Sequence, residues 1–204
     1  MASTVEEIRN YWHDPNDGKN VRERYQSARA YKRSKYLLSL ITHLPRESKI
    51  LELGSGVGRN LSVLHNAGFK NLNGIEISEK SLNVMRKSYP ELRHSKVHHS
   101  PIESIIDILP NKEYDLVFTI AVLEHLPFES DWVFPEISRI CKANLITIED
   151  EYTKSWRHFP RNYKEIFESL GFEQNYCYIL TPRQGLFTNF RCRYFIKTGD
   201  PVSL

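Results

Sequence analysis

The chain has 204 residues, enough for one domain with a sizeable core, because this length buries roughly 70% of its unfolded surface. Hydrophobic residues make up 40% and charged residues 26%, which excludes a disordered or membrane-embedded chain. A net charge of +3 is too small to demand a nucleic-acid partner, and no apolar run reaches membrane-spanning length.

The three cysteines, Cys141, Cys177 and Cys192, are far apart and show neither C-x-x-C nor Cys/His metal spacing. Free thiols in a reducing cytoplasm are expected. The segment Met1–Glu7 lacks the basic and apolar regions of a signal peptide, so a soluble, cytoplasmic protein is expected.

Taken in chain order, Tyr11-Trp12-His13-Asp14-Pro15-Asn16-Asp17-Gly18 reads as a turn-rich stretch carrying two large aromatics. From Tyr25 to Leu44, the apolar positions Tyr36, Leu37, Leu40, Ile41 and Leu44 recur at helical spacing until Pro45. Arg22, Arg24, Arg29, Lys32, Arg33 and Lys35 crowd this region and read either as a solvated helix face or as a contact for an anionic ligand. Strands are then predicted at Ile50–Leu53, Leu72–Ile77, Lys96–His99, Tyr114–Ile120 and Asn144–Ile148. Helices are predicted over Gly58–Ala67, Glu79–Ser88, Ile102–Leu109, Trp132–Cys141 and Tyr163–Leu170. Two late strands, Phe172–Leu180 and Asn189–Lys197, are joined by a loop with Pro182 and Gly185 and suit an antiparallel hairpin at the sheet edge.

This alternation implies an α/β fold, a doubly wound and mainly parallel sheet of seven strands with an antiparallel last strand and helices on both faces. A helical extension, 1–45, precedes the main domain, 46–204, within one compact unit.

The most informative stretch runs from Ile50 to Asn60: an apolar strand, the acid Glu52, then Gly54, Gly56 and Gly58 at alternate positions, then a helix start. Glycine allows a sharp turn and lets backbone lie directly against a ligand. Glu76, about 20 residues on at the next strand end, is placed to grip a ribose. A dinucleotide fingerprint started at Gly54 needs glycine at position 59, where the chain has Arg59. Glu52 beside the turn repels a pyrophosphate and favours an ammonium group.

The pattern Glu52-x-Gly54-x-Gly56-x-Gly58, followed by Glu76, resembles the first two motifs of class I S-adenosylmethionine-dependent methyltransferases. The resemblance covers roughly Ile50 to Lys197, and the late hairpin is similar to the last two strands of that fold. It implies S-adenosylmethionine as cofactor and S-adenosylhomocysteine as product. Glu52, Gly54, Gly56 and Asn60 would then hold the methionine part, Glu76 the ribose hydroxyls, and Ile77 and Ile102 the adenine ring. The family's usual adenine-binding acid falls on Pro101, leaving Glu103 either to meet the adenine amino group or to serve as an ordinary first-turn acid.

After the fourth strand, Thr119–Pro127, with Ala121 and Leu123, resembles the motif whose backbone runs beneath the cofactor's sulfonium, and Glu124-His125 is similar to the acidic-histidine pair of many small-molecule methyltransferases. His125 is a candidate general base, with the alternative of capping the next helix. Glu149, Asp150 and Glu151 at the fifth strand exit can attract a cationic acceptor, and Glu149 joins His125 as a candidate catalytic residue. Asp150, Trp156, His158 and Tyr163 are candidate substrate contacts. A metal of the catechol-methyltransferase kind is not expected, since Ile120 occupies the nearest position after strand four. The extension resembles a lid, with Tyr11, Trp12 and Arg33 facing the site and Arg33 near the methionine carboxylate.

The expected activity is methyl transfer to N, O or S of a small or medium-sized acceptor, with nucleic acid and membrane not expected as partners. The rivals are an RNA methyltransferase using the Arg22–Lys35 stretch and a non-catalytic cofactor-binding subunit. An NAD-dependent oxidoreductase is disfavoured by Arg59 and the late hairpin.

Overall fold

The computed structural model describes residues 4–15, 26–184 and 189–199. The expectations for Asn16–Gly18, Arg22, Arg24, Tyr25 and Gly185 lie outside them. Seven strands form one sheet: β1 (Ile50–Leu53), β2 (Leu72–Glu76), β3 (Lys96–His99), β4 (Tyr114–Ile120), β5 (Cys141–Asp150), β6 (Phe172–Ile179) and β7 (Phe190–Lys197). Their order is β3-β2-β1-β4-β5-β7-β6. The first five strands run parallel, and β7 inserts antiparallel between β5 and β6, pairing Ile148 with Cys192.

Strands β1 and β2 are buried along their whole length, as strands covered on both faces must be. Alternate residues feed two cores. On one face Ile50, Leu116 and Ile146 pack with Leu37 of α2 (Ala28–Leu40), Leu61 of α3 (Arg59–Asn66) and Met85 of α4 (Glu79–Ser88). On the other, Leu51, Val117 and Leu145 pack with Ile137 of α5 (Val133–Ile140) and Phe167 of α6 (Tyr163–Ser169). Serines start two of these helices: Ser27 accepts from Ala30 N–H and Ser78 from Ser81 N–H, both at 3.3 Å.

Two elements differ from expectation. Ile102–Leu109 forms two short 3₁₀ turns, Ile102–Ser104 and Ile106–Ile108, in place of an α-helix. The stretch sits between Pro101 and Pro110 and is rich in β-branched isoleucine, which leaves too little good helix former for a stable α-helix. The second difference lies at the N-terminus, where Val5–His13 is a helix, α1, although it read partly as turn. Its start carries a capping box: Thr4 Oγ1 accepts from Glu7 N–H at 3.2 Å while Glu7 accepts from Thr4 N–H at 2.7 Å.

The sheet order reverses at β1, whose neighbours β2 and β4 send their connections to opposite faces. A crevice therefore opens at the carboxyl ends of β1 and β4, where doubly wound folds bind ligands.

Candidate active site

At that crevice lies a cavity of about 700 Å³, within the range of roughly 300–1,000 Å³ usual for ligand pockets. Its base is the turn after β1. Gly54 has φ +69°, and a Cβ there would fall 2.4 Å from Val122 Cγ2, so only glycine lets the β1 and β4 loops meet this closely. Gly56, with φ +54°, meets nothing within 4 Å, leaving open space beside its backbone.

Two acids flank this turn. Glu76 ends β2 and accepts hydrogen bonds from Gly56 N–H and Ser78 N–H, each at 2.7 Å. Burial raises its pKa against the pull of those donors. Glu52 in β1 is 1% exposed, and burial pushes its carboxyl up to about 8. Asn60 Nδ2 donates to Glu52 Oε1 at 2.5 Å, while Asn60 Oδ1 accepts from Ser34 at 2.6 Å. Glu52 Oε2 is buried and has no partner among the described residues.

Of the expected cofactor residues, Arg33, Glu52, Gly54, Gly56, Asn60, Glu76, Ile77, Ile102, Glu103 and Ala121 all line the cavity. Leu123 does not; it is fully buried in the core below. Ala121 holds φ +57°, a strained angle for a residue with a side chain, at the bend where β4 meets the cavity. Glu103 is engaged by α1: its Oε1 lies 3.2 Å from Arg9 Nη2 and accepts from Ser130 Oγ at 3.2 Å.

On the opposite wall, His125, Asp150 and His158 line the cavity, whereas Glu149, Trp156 and Tyr163 do not. Glu149, expected to be catalytic, is fully buried beneath the β4 loop, accepting from Thr119 Oγ1, from Val122 N–H at 2.9 Å and from Glu124 N–H at 3.2 Å. Tyr163, expected at the substrate, is also fully buried, packed on Phe134 and Phe167 in the core. Trp156 is half exposed and packs edge-on against Tyr11 with ring centroids 5.1 Å apart.

The three successive acids do not make one anionic patch: strand alternation turns Asp150 away from the other two, and Glu149 and Glu151 are each tied to partners of their own. Glu149 points under the β4 loop, and Glu151 pairs with Arg193 through two bonds of 2.7 Å. Asp150 reaches the cavity but accepts from Tyr152 N–H and Thr153 N–H at 2.9 Å. Burial opposes its ionisation, yet hydrogen bonds from Thr153 and Tyr152 outweigh it and hold the pKa low.

His125 also departs from the expected pKa near neutrality. Burial pushes it down to about 3, so the ring is neutral at physiological pH. Its Nδ1 lies 2.7 Å from the Arg157 carbonyl, which fixes that nitrogen as the donor. Trp12 packs on the ring with centroids 4.4 Å apart.

Sequence reading missed Glu124 as a cavity residue, along with Ile8, Arg9 and Pro15 from the N-terminal segment. The Thr4-x-x-Glu7 capping box was the available signal for α1. The Glu124-His125 pair was the local signal for Glu124, but its neighbours in space come from beyond β5.

Residues 51–146 match the family model described as a methyltransferase domain. No curated protein sequence matches the chain. Among solved structures, magnesium protoporphyrin IX methyltransferase from Synechocystis PCC 6803, with bound S-adenosylhomocysteine, is 17% identical with a TM-score of 0.76; the match covers 96% of this chain and 100% of that one. The 1,6-didemethyltoxoflavin-N1-methyltransferase of Burkholderia thailandensis is 13% identical with a TM-score of 0.71, over 98% of this chain and 92% of that one. A Haloferax volcanii structure of the Trm112 methyltransferase activator in complex with a methyltransferase matches at 14% identity and a TM-score of 0.71, over 97% and 100%. At these identities the likeness is one of fold. The fold is the Rossmann-like fold of these methyltransferases, and residues 51–146 within it match the methyltransferase-domain model. Among the described residues, no helix is long and apolar enough to cross a membrane.

Proposed function

We propose that the protein transfers a methyl group from S-adenosylmethionine to N, O or S of a small or medium-sized acceptor. The observation that carries this reading is Glu52, whose Oε2 is buried without a partner on the cavity wall. A dry carboxylate oxygen left without a donor suits an ammonium group, and the open backbone of Gly56 leaves room for a ligand beside it. Glu76 keeps acceptor capacity beyond its two backbone bonds, since each carboxylate oxygen has two lone pairs. It would take the ribose hydroxyls, with Ile77 and Ile102 against the adenine.

The cofactor supplies an already activated methyl group, so the chain's work is alignment and exclusion of water. Ala121 shapes the floor at the reacting end, and Asp150, His125 and His158 form the acceptor wall. His125 keeps an unprotonated Nε2 on that wall, and with its low pKa it is a weak base. Residues 1–45 act as a lid on the domain 46–204, with Ile8, Arg9 and Trp12 of α1 roofing the cavity. Arg33 also lines the cavity, which favours a ligand role over surface solvation.

A thermal-shift comparison of S-adenosylhomocysteine with NAD tests the cofactor site, and stabilisation by NAD alone would sink it. Release of S-adenosylhomocysteine is then screened over amines, phenols, thiols, carboxylates and RNA. Turnover confined to RNA would reject the small acceptor.

A further inference from the structure

We infer that Glu124, His125 and His158 form a binding site for one divalent transition-metal ion on the acceptor side of the cavity. One ligand atom from each residue lies within 4.8 Å of the others. His125 Nε2 is 3.5 Å and His158 Nε2 4.0 Å from the same oxygen, Glu124 Oε1. Ligands held at about 2.0–2.1 Å around a tetrahedral ion sit roughly 3.4 Å apart. The cluster therefore needs only a small side-chain contraction to close on an ion.

The outer contacts are those of metal-ligating histidines, whose second nitrogen is held by another group. His125 Nδ1 lies 2.7 Å from the Arg157 carbonyl, and His158 Nδ1 lies 2.6 Å from Ser155 Oγ. Both rings thus turn Nε2 toward one carboxylate oxygen. Glu124 is fixed in turn through its other oxygen, which accepts from Asp150 N–H. The aromatic face of Trp12 on His125 restrains that ring further.

Two imidazoles and one carboxylate suit zinc, iron(II) or nickel and leave coordination positions open. All three residues line the cavity, so an acceptor can reach those positions. A bound ion would hold a hydroxyl, thiol or amine by its lone pair and make it more acidic, so that its proton passes to solvent. That use rests on the methyl-transfer reading; the ion site does not.

The test is titration of the chelator-treated full chain with Co²⁺, read by visible absorption, and with Zn²⁺, read by calorimetry. About one equivalent should bind with the spectrum of nitrogen and oxygen coordination. Glu124→Gln and His158→Ala should each weaken binding by at least about tenfold while circular dichroism shows an intact fold. His158 lies nearer the surface, so its variant serves if Glu124→Gln unfolds. Absence of saturable binding, binding unchanged in the folded variants, or thiolate charge-transfer bands marking Cys177 would each overturn the site. Loss of S-adenosylhomocysteine binding by the unmodified protein would count against the proposed reaction and leave the ion site standing.

Discussion

Glu149 Oε2 accepts the backbone N–H of Val122 at 2.9 Å, so the end of β5 holds the loop that follows β4. The bond matters beyond that loop, because Val122 is the side chain lying directly over Gly54. A buried carboxyl, a strained loop and the glycine turn are thus one mechanical unit. Glu149→Ala would strand two backbone donors and the Thr119 hydroxyl in a dry place, at about 1–3 kcal/mol each. We expect a loss of roughly 3 kcal/mol or more in urea unfolding. Glu149→Gln should cost much less, because burial already pushes this carboxyl up to about 7 and the amide keeps an acceptor oxygen. An alanine variant of normal stability but no turnover would return Glu149 to a chemical role.

The two glycines of the turn should separate folding from binding. Gly54→Ala forces a Cβ to within 2.4 Å of Val122 and should destabilise the protein by several kcal/mol. Gly56→Ala carries only the positive-φ cost, about 1–2 kcal/mol, since its Cβ would enter open space. That space is where the cofactor is proposed to lie, so Gly56→Ala should lose S-adenosylhomocysteine binding while remaining folded. Calorimetry beside thermal melting distinguishes the two; equal affinity in Gly56→Ala and the unmodified protein would move the ligand elsewhere.

Glu52 gives a pH signature. Its carboxyl ionises near 4.5 when unfolded and near 8 in the folded chain, because burial penalises the charge. The folded state therefore holds a proton across that interval, and its stability falls as pH rises from about 4.5 to 8. Glu52→Gln should flatten this part of the profile and be the more stable protein at pH 8. It should also lose the proton release expected when an ammonium group binds the ionised carboxyl below that pH. Calorimetry in buffers of different ionisation enthalpy reads that proton; its persistence in Glu52→Gln would assign the release to another group.

The sheet and the β1–β2 side of the cavity were legible because their signals are local. Ile50–Gly58 carries strand, acid and glycines in a single run, and Glu76 follows at a fixed distance along the next strand. The acceptor half was not legible, for a different physical reason. Glu149, Asp150 and Glu151 are adjacent in sequence, but the strand pleat turns Asp150 alone to the cavity, while Glu149 anchors a loop and Glu151 pairs with Arg193. Tyr163 looked like part of an aromatic wall, yet it starts α6, which turns it into the core against Phe134. Conversely, Glu124 and His158 meet only because the chain returns from β5 across the end of β4, where Phe159 N–H bonds to the Glu124 carbonyl at 2.8 Å. No periodicity records such a contact.

Helix α1 is fixed to the domain through buried Ile8, through Arg9 with Glu103, and through Trp12 on His125. The Asp14–Lys80 pair at its far end is exposed on both sides and should contribute little. Trp12 therefore joins the roof to the acceptor wall, while Glu52 and Gly56 lie at the other end of the cavity. Trp12→Ala should raise the acceptor KM by about tenfold, equivalent to ~1.4 kcal/mol, and change S-adenosylhomocysteine affinity far less. Arg9→Ala should loosen the whole helix, seen as faster hydrogen exchange of the Ile8–His13 amides with the sheet unchanged. If Trp12→Ala weakened both ligands equally, α1 would be supporting the fold of the entire cavity and not acting as a separate roof over the acceptor.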